Sequence, residues 1–214
     1  RFGRSSGVTA GDDALYTPAD MSTTRPTPGA VVFDFDGTIA DTQAIIVSCF
    51  RGTYENLGIP APDNHLIAAT IGLPLETAFV RLSGMSEAEG VSAAETYRSL
   101  FSELDPSSAP PIEGMPEVVK ACRAAGFPLA VGSSRNHRTL DPMLRSLGLF
   151  DLFDLVMDHD DARREKPHPA MLLRIAERFG LAPEELVMIG DTTFDIEMGR
   201  NAGAATVAVT WGNH

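Results

Sequence analysis

The sequence predicts an α/β fold in which a Rossmann-like parallel sheet carries an all-helical insertion after its first strand. Five short apolar runs each end at a polar residue, as buried strands ending in loops do. Helical patterns separate the later runs from one another, and a long stretch after the first run contains helical patterns alone. Strands that alternate with helices form a mostly parallel sheet with right-handed crossovers. We expect the strands in the order 5-4-1-2-3.

The predicted strands and core helices follow one another along the chain. The apolar runs lie at residues 30–33, 127–132, 155–157, 186–190 and 205–209. They are followed by Asp34, Ser133, Asp158, Asp191 and Thr210. The helical patterns between them lie at residues 116–125, 138–147, 169–179 and 193–202. A glycine follows each of these four segments directly, which is typical of a helix C-terminus.

The stretch between the first two predicted strands differs from the rest of the chain in its residue pattern. It shows helical patterns at residues 43–57, 64–70, 74–82 and 86–104 and no strand-like run. We therefore divide the chain into a core, residues 29–41 and 112–214, and a helical insertion, residues 42–111. Residues 1–28 are rich in Ser, Thr, Gly and Pro, and we expect a disordered tail.

Composition limits the classes of partner. The net charge of −12 disfavours nucleic acid and anionic membrane surfaces, which attract basic proteins. No run of 18 apolar residues occurs, and from the polar first residues we expect no secretory signal. Cys49 and Cys122 lack metal-ligand spacing, so we expect reduced thiols and a cytoplasmic protein.

Polar residues at the carboxyl ends of the strands are the candidates for a functional site. In an open parallel sheet, ligands bind outside those ends, where the strand order reverses. The candidates are Asp34 and Asp36 after the first strand, Ser133 after the second, Lys166 after the third and Asp191 after the fourth. A single Asp in such a turn could serve only as a turn or cap residue. The whole set in this order predicts a shared site.

These residue types suit phosphate-ester chemistry. Asp34 and Asp36 are two residues apart and repel each other unless a cation or proton intervenes. Magnesium binds through one or two carboxylates, and Asp34 and Asp191 could supply them. Asp34 could then act as a nucleophile and Asp36 as a general acid and base. Lys166 and Ser133 would bind the phosphate oxygens.

The same residues resemble the four motifs of the haloacid dehalogenase superfamily of phosphatases. The motifs are Asp34-Phe35-Asp36-Gly37-Thr38, Ser133 after an apolar strand, Lys166-Pro167-His168-Pro169, and Gly190-Asp191 with Asp195 four residues on. The resemblance covers residue 30 to the end of the chain. It is greatest to the branch that includes phosphoglycolate phosphatase.

The resemblance implies a role for each residue. Asp34 would be nucleophile and metal ligand, while Asp36 would be acid and base and bind metal through its backbone carbonyl. Asp191 would bind Mg²⁺ directly, and Asp195 directly or through water. Phosphate would contact Ser133, Ser134 and Lys166. The insertion would be a mobile cap, with residues 72–76 dipping toward the substrate.

The expected function is magnesium-dependent hydrolysis of a small phosphorylated metabolite through an aspartyl-phosphate. The dehalogenases of the superfamily lack the second acid, which is present here as Asp36. A phosphomutase of the β-phosphoglucomutase type remains an alternative, although Ile46 stands where that type has a histidine. A catalytically silent regulatory domain is the second alternative, and the complete set of acids argues against it.

We assign no catalytic role to several polar residues near the motifs. His159 lies among Asp158, Asp160 and Asp161, which we interpret as a solvated acidic loop rather than a metal site. His137 has no partner that the sequence identifies. Arg135 and Asn136 follow Ser133 closely enough to border a phosphate.

Overall fold

A computed structural model describes residues 27–212, so most of the predicted tail, residues 1–26, lies outside the described residues. The described chain contains one five-stranded parallel sheet in the order β3-β2-β1-β4-β5. Its strands are β1 (Ala30–Phe33), β2 (Leu129–Gly132), β3 (Leu155–Met157), β4 (Leu186–Gly190) and β5 (Ala205–Ala208). This is the predicted order counted from the opposite edge, so the α/β prediction is confirmed.

The register of the sheet brings three strand ends together. Phe33, the last residue of β1, lies opposite Val131 of β2 and Ile189 of β4. The backbone N–H of Asp34 donates to the carbonyl of Ile189 at 2.8 Å. Residues that follow β1, β2 and β4 therefore meet at one edge.

The central strand β1 separates two layers of core because successive side chains point to opposite faces. Val31 and Phe33 pack in one apolar cluster, whereas Ala30 and Val32 pack in the other. The first cluster includes buried residues of α5 (Met115–Ala124) and α6 (His137–Ser146). The second includes those of α8 (Ala170–Phe179) and α9 (Thr193–Ala202). Both faces are covered, as the continuous apolar strand sequences predict.

Four of the five α-helices between β1 and β2 pack against one another, and we call these four the helical unit. They are α1 (Gln43–Asn56), α2 (Asn64–Ala68), α3 (Leu75–Ser83) and α4 (Glu87–Ser102). An aromatic cluster joins three of them: the Phe50 ring centroid lies 4.6 Å from that of Phe79 and 5.1 Å from that of Tyr97. These rings are buried and form the centre of the unit.

The chain enters and leaves the helical unit at one place. The N–H of Asp41 donates to the carbonyl of Pro110 at 2.9 Å, and the N–H of Ile112 donates to that of Ile39 at 2.8 Å. Ala40 and Pro111 form an antiparallel bridge between these bonds. We call residues 39–41 and 110–112 the paired crossing.

The prediction of a solvated acidic loop at residues 158–161 is wrong. Residues that we interpreted as a solvated acidic loop form a short helix, α7 (His159–Ala162). Asp158 is fully buried and its side chain accepts a hydrogen bond from the N–H of Asp161 at 2.9 Å. This N-cap satisfies a backbone donor that would otherwise be free and begins the helix.

Two further expectations concern cysteine chemistry and membranes. Cys49 and Cys122 are free, as predicted. Within residues 27–212, none of the helices combines the length and apolar character needed to span a bilayer.

Candidate functional site

The site begins with a buried lysine held between two carboxylates. Asp34 follows β1, Lys166 lies in the loop between α7 and α8, and Asp195 lies in the first turn of α9. The Lys166 Nζ atom donates to Asp34 Oδ1 at 2.7 Å and to Asp195 Oδ1 at 2.6 Å. All three side chains are buried. Residues from three separate segments thus meet at the carboxyl edge of the sheet.

Asp191 completes a group of three carboxylates. One oxygen from each of Asp34, Asp191 and Asp195 lies within 4.8 Å of the others, and all three residues are buried. The Thr38 Oγ1 hydroxyl donates to Asp191 Oδ1 at 3.0 Å and orients that carboxylate. Carboxylate oxygens in this number and spacing fit a divalent cation such as Mg²⁺. The group therefore suits the metal that the sequence predicted.

Burial and charge shift the ionisation of this cluster. Desolvation raises the pKa of Asp34 well above its usual value, and Asp195, Asp191 and Asp36 raise it further, against the opposing effect of Lys166. Burial alone would lower the pKa of Lys166, but Asp195 and Asp34 outweigh it and hold that pKa above its usual value. A divalent cation among the acids would favour the ionised form of Asp34.

Both carboxylate oxygens of Asp195 accept hydrogen bonds. Oδ1 accepts from Lys166, while Oδ2 accepts from the Thr192 hydroxyl at 2.6 Å and the Thr192 N–H at 3.1 Å. Thr192 and Asp195 form the capping box of α9. Asp195 therefore holds Lys166 in place, which the motif alone did not indicate.

Asp36 has a partner that the sequence did not assign to it. The Arg135 side chain reaches Asp36 Oδ1 through Nε at 2.8 Å and Nη2 at 2.7 Å. The guanidinium also lies over the ring of Phe101, 4.3 Å from its centroid. We predicted that Arg135 borders a phosphate; the structure adds its contact with the carboxylate of Asp36, and a phosphate contact of Arg135 stays a prediction. Its position two residues after Ser133 was the available signal.

The two serines in the loop after β2 lie in different surroundings. Ser133 is fully buried, and its Oγ accepts from the N–H of Arg135 at 3.2 Å. Ser134 lines the cavity described next. Asn136 is the N-cap of α6, since its side chain accepts from the N–H of Thr139 at 3.3 Å. Phosphate binding by Ser133 and Ser134 stays a prediction.

A cavity of about 330 Å³ lies between the carboxyl edge of the sheet and the helical unit. Asp34, Asp36 and Lys166 line it from the core. The segment at residues 72–76 lines it from the other side, in keeping with the position that the resemblance implied. Gly72 brings this segment close to the core: a Cβ there would lie 3.1 Å from the Phe194 ring.

His137 corrects a second expectation, because it does have partners. Its Nε2 atom lies 3.1 Å from Asp161 Oδ2 and 3.6 Å from Asp158 Oδ2, and Nδ1 lies 3.4 Å from Asp141 Oδ1. These contacts tie the start of α6 to α7. The partners lie 21 and 24 residues away along the chain for Asp158 and Asp161, which local sequence patterns do not reveal.

The fold and the buried cluster of acids and lysine define an α/β enzyme of the hydrolase class. The chain belongs to the haloacid dehalogenase-like hydrolases, whose family model matches residues 31–209. The predicted resemblance is thereby confirmed.

Three relatives illustrate its place in the family. The probable phosphatase IndB of Dickeya dadantii is 39% identical over 188 residues, which cover 86% of this chain and 82% of the relative. Pyrophosphatase PpaX of Halalkalibacterium halodurans is 34% identical, with 84% and 82% covered. Phosphoglycolate phosphatase of Thiobacillus denitrificans is 31% identical, with 86% and 83% covered. This chain is, like them, an enzyme of the phosphatase class.

A solved structure supports the same assignment. The crystal structure of a haloacid dehalogenase-like hydrolase from Bacteroides fragilis matches with a TM-score of 0.83 and 28% identity. The match covers 87% of this chain and 90% of that chain. The arrangement of sheet and helical unit is therefore shared with a solved member of the family.

Proposed function

We propose that this enzyme hydrolyses a small phosphomonoester with Mg²⁺, through an aspartyl-phosphate on Asp34. The observation that supports this most strongly is the buried contact of Asp34 with Lys166 beside two further carboxylates. A carboxylate at the floor of a cavity can attack phosphorus, and a neighbouring lysine offsets the charge of the phosphate oxygens.

Two steps account for the reaction. In the first, an Asp34 oxygen bonds to phosphorus and the ester oxygen leaves as the alcohol, with a proton from Asp36. In the second, Asp36 takes a proton from water, which attacks phosphorus and releases inorganic phosphate and the Asp34 carboxylate. The Arg135 contact holds the Asp36 carboxylate at the cavity wall, within the same site as Asp34.

Mg²⁺ would be held by Asp34, Asp191 and the backbone carbonyl of Asp36, with Asp195 binding directly or through water. When bound, it would screen the anionic phosphate from the acids and polarise the phosphoryl oxygens. Lys166, kept in place by Asp195, would contact a phosphate oxygen, and Ser133 and Ser134 would complete the phosphate site. Each of these roles follows the family pattern.

The helical unit would act as a cap, residues 42–111, over a core at residues 29–41 and 112–214. The paired crossing is where such a cap would move relative to the core, because both connections lie there. A cap that closes excludes water from the reaction. Closure would place residues 72–76 against the substrate.

The partner we propose is a small phosphorylated metabolite, and we place the enzyme in the phosphoglycolate phosphatase-like branch of the family. The cavity of about 330 Å³ is at the lower end of the range for small-molecule sites. Free thiols at Cys49 and Cys122 suit the reducing cytoplasm, where we propose that the enzyme works. Ile46 lines the cavity with an apolar side chain, which favours hydrolysis over the mutase reaction.

The test is phosphate release from p-nitrophenyl phosphate and a panel of small phosphomonoesters, with and without Mg²⁺. We expect release to require the metal and to fall more than about a thousandfold in Asp34→Asn, since the nucleophile is lost. Asp151→Asn is the matched control, because Asp151 is exposed and does not line the cavity.

Two outcomes would contradict the proposal. Full activity in Asp34→Asn would show that another group attacks phosphorus. Transfer of phosphate between two positions of a sugar phosphate, without release, would establish the mutase reaction instead.

A further inference from the structure

The lysine and arginine side chains that line the cavity are already paired with carboxylates. Among the described residues, five carboxylates and three cations line it: Asp34, Asp36, Glu76, Asp160 and Asp195, with Arg98, Arg135 and Lys166. Lys166 contacts Asp34 and Asp195, Arg135 contacts Asp36, and Arg98 contacts Glu76. None of these three cations is left over for a second anionic group on a substrate. His159, the remaining basic side chain of the lining, acts electrostatically on Glu76.

The Arg98–Glu76 pair is the one that belongs to the helical unit. Arg98 on α4 donates to Glu76 Oε1 on α3 at 2.6 Å. Burial alone would raise the pKa of Glu76, but the hydrogen bond from Arg98, a backbone hydrogen bond and the charges of Arg98 and His159 together outweigh it, so that pKa lies below its usual value. Glu76 therefore stays ionised at neutral pH and neutralises Arg98.

The position of this pair determines which part of a substrate it meets. The helical unit faces Asp34 across the cavity, so a substrate whose phosphate rests on Asp34 directs its remaining atoms toward that unit. The rest of the wall on this side is largely apolar, with Ile46, Phe50, Leu73 and Phe101 contributing to it. The leaving group would thus meet apolar surface and a neutralised ion pair.

From this arrangement we infer that the substrate is the phosphomonoester of an uncharged, partly apolar alcohol. The inference rests on the proposed phosphatase function. A leaving group that carried a carboxylate or a second phosphate would bury an additional charge without a free lysine or arginine to pair with it, which is costly. The cavity therefore discriminates against anionic leaving groups by their charge as well as by their shape.

The experiment compares two substrates that differ mainly in that charge. 2-Phosphoglycolate ends in a carboxylate, whereas 2-hydroxyethyl phosphate ends in a neutral CH₂OH at the same position. We expect kcat/KM to be at least about tenfold higher for 2-hydroxyethyl phosphate, because only this leaving group matches the cavity. Inorganic pyrophosphate should be as poor a substrate as phosphoglycolate.

A variant that removes the charge of Glu76 tests whether the Arg98–Glu76 pair causes this preference. Glu76→Gln removes the acid that neutralises Arg98 and should shift the preference toward phosphoglycolate by at least about fivefold in the ratio of kcat/KM values. Glu87→Gln makes the same charge change at an exposed position on α4 that does not line the cavity, and should leave the ratio unchanged. A purely structural role of Glu76 would change both substrates equally.

The outcomes separate this inference from the proposed function. Equal or better turnover of phosphoglycolate or pyrophosphate by the wild-type enzyme would overturn the inference and leave the hydrolase intact. An unchanged ratio in Glu76→Gln would also overturn it, because the paired Arg98 would then not set the preference. Failure to release phosphate from any ester, including p-nitrophenyl phosphate, would instead contradict the proposed function.

Discussion

Two glycines let the backbone approach the acids of the site. A Cβ on Gly190 would lie 2.3 Å from the Cβ of Asp195, and a Cβ on Gly212 would lie 2.3 Å from both the Cβ and Oδ2 of Asp191. Neither distance is compatible with a side chain on the glycine unless the acid moves. The glycine backbones therefore help to fix the positions of two proposed metal ligands.

Gly212→Ala should weaken metal binding. The new methyl group would displace the Asp191 carboxylate, and even a small displacement of a ligand costs affinity. We expect the Mg²⁺ concentration for half-maximal activity to rise at least about tenfold, with a matching loss of affinity in calorimetric Mg²⁺ titrations.

Gly52→Ala serves as the control for Gly212→Ala. Its Cβ would meet only the end of the Leu100 side chain, at 3.2 Å, within the helical unit. If Gly212→Ala bound Mg²⁺ as the wild type does, the backbone at residue 212 would not position Asp191.

The acids of the site were predictable from sequence, but their partners were not. Asp34 and Asp191 directly follow apolar runs, and the carboxyl ends of parallel strands meet at one edge. The contact of Arg135 with Asp36 spans 99 residues and depends on how two loops pack. No local pattern records such a contact.

At the scale of elements, His137 joins the start of α6 to α7. Burial alone would lower the pKa of His137, but Asp158 and then the hydrogen bonds with Asp141 and Asp161 outweigh it, so the pKa lies above its ordinary value of 6.5. The protonated imidazole is thus favoured in the folded protein. Its stabilisation is complete below the unfolded pKa and is lost as the pH rises through the higher folded pKa.

His137→Gln should therefore destabilise the protein more at pH 6 than at pH 8.5. The side chain is about half exposed, so we expect a difference of less than about 1 kcal/mol in the free energy of unfolding. Urea unfolding of both proteins at the two pH values measures it. A cost that was equal at both pH values would show that the charge of His137 contributes nothing.

Helix ends were predictable to within one or two residues where the chain marks them. Gly180 and Gly203 are left-handed C-caps of α8 and α9, the conformation that favours glycine at this position. Helix α7 was missed because it has four residues, too few for a periodic pattern. Its N-cap, Asp158, is fixed by burial against other segments.

At the scale of the whole molecule, the three buried carboxylates oppose folding, because Lys166, which contacts two of them, offsets only part of their charge. Like charges at this spacing repel, and burial increases their cost. A divalent ion that binds the folded state alone shifts the unfolding equilibrium by mass action. The site should therefore link metal binding to stability.

Mg²⁺ should raise the melting temperature of the wild type. At a concentration about 100 times its Kd, the expected stabilisation is about 2.7 kcal/mol. Thermal unfolding in MgCl₂ and in NaCl of equal ionic strength measures the effect, with Asp191→Asn as the comparison variant. An equal shift in both proteins would indicate general salt stabilisation and not binding at this site.

The parallel sheet was predictable from the alternation of strands and helices, but the position of the helical unit on the core was not. Its placement depends on particular contacts, such as Gly72 against Phe194. These contacts set the cavity and hence the surroundings of the substrate. Long-range packing of this kind has no periodic signature in a sequence.

The paired crossing also bears on how the protein folds. Strand β1 pairs with β2 in a register that joins Val31 to Leu129, so the sheet must close a loop of roughly 100 residues. Because that loop leaves and re-enters the core at hydrogen-bonded neighbours, a helical unit that folds first shortens the loop to roughly 25 residues, those before Ile39 and after Ile112. The sheet can then assemble almost as though the insertion were a tight turn, and a helical unit of another length would change its folding rate little.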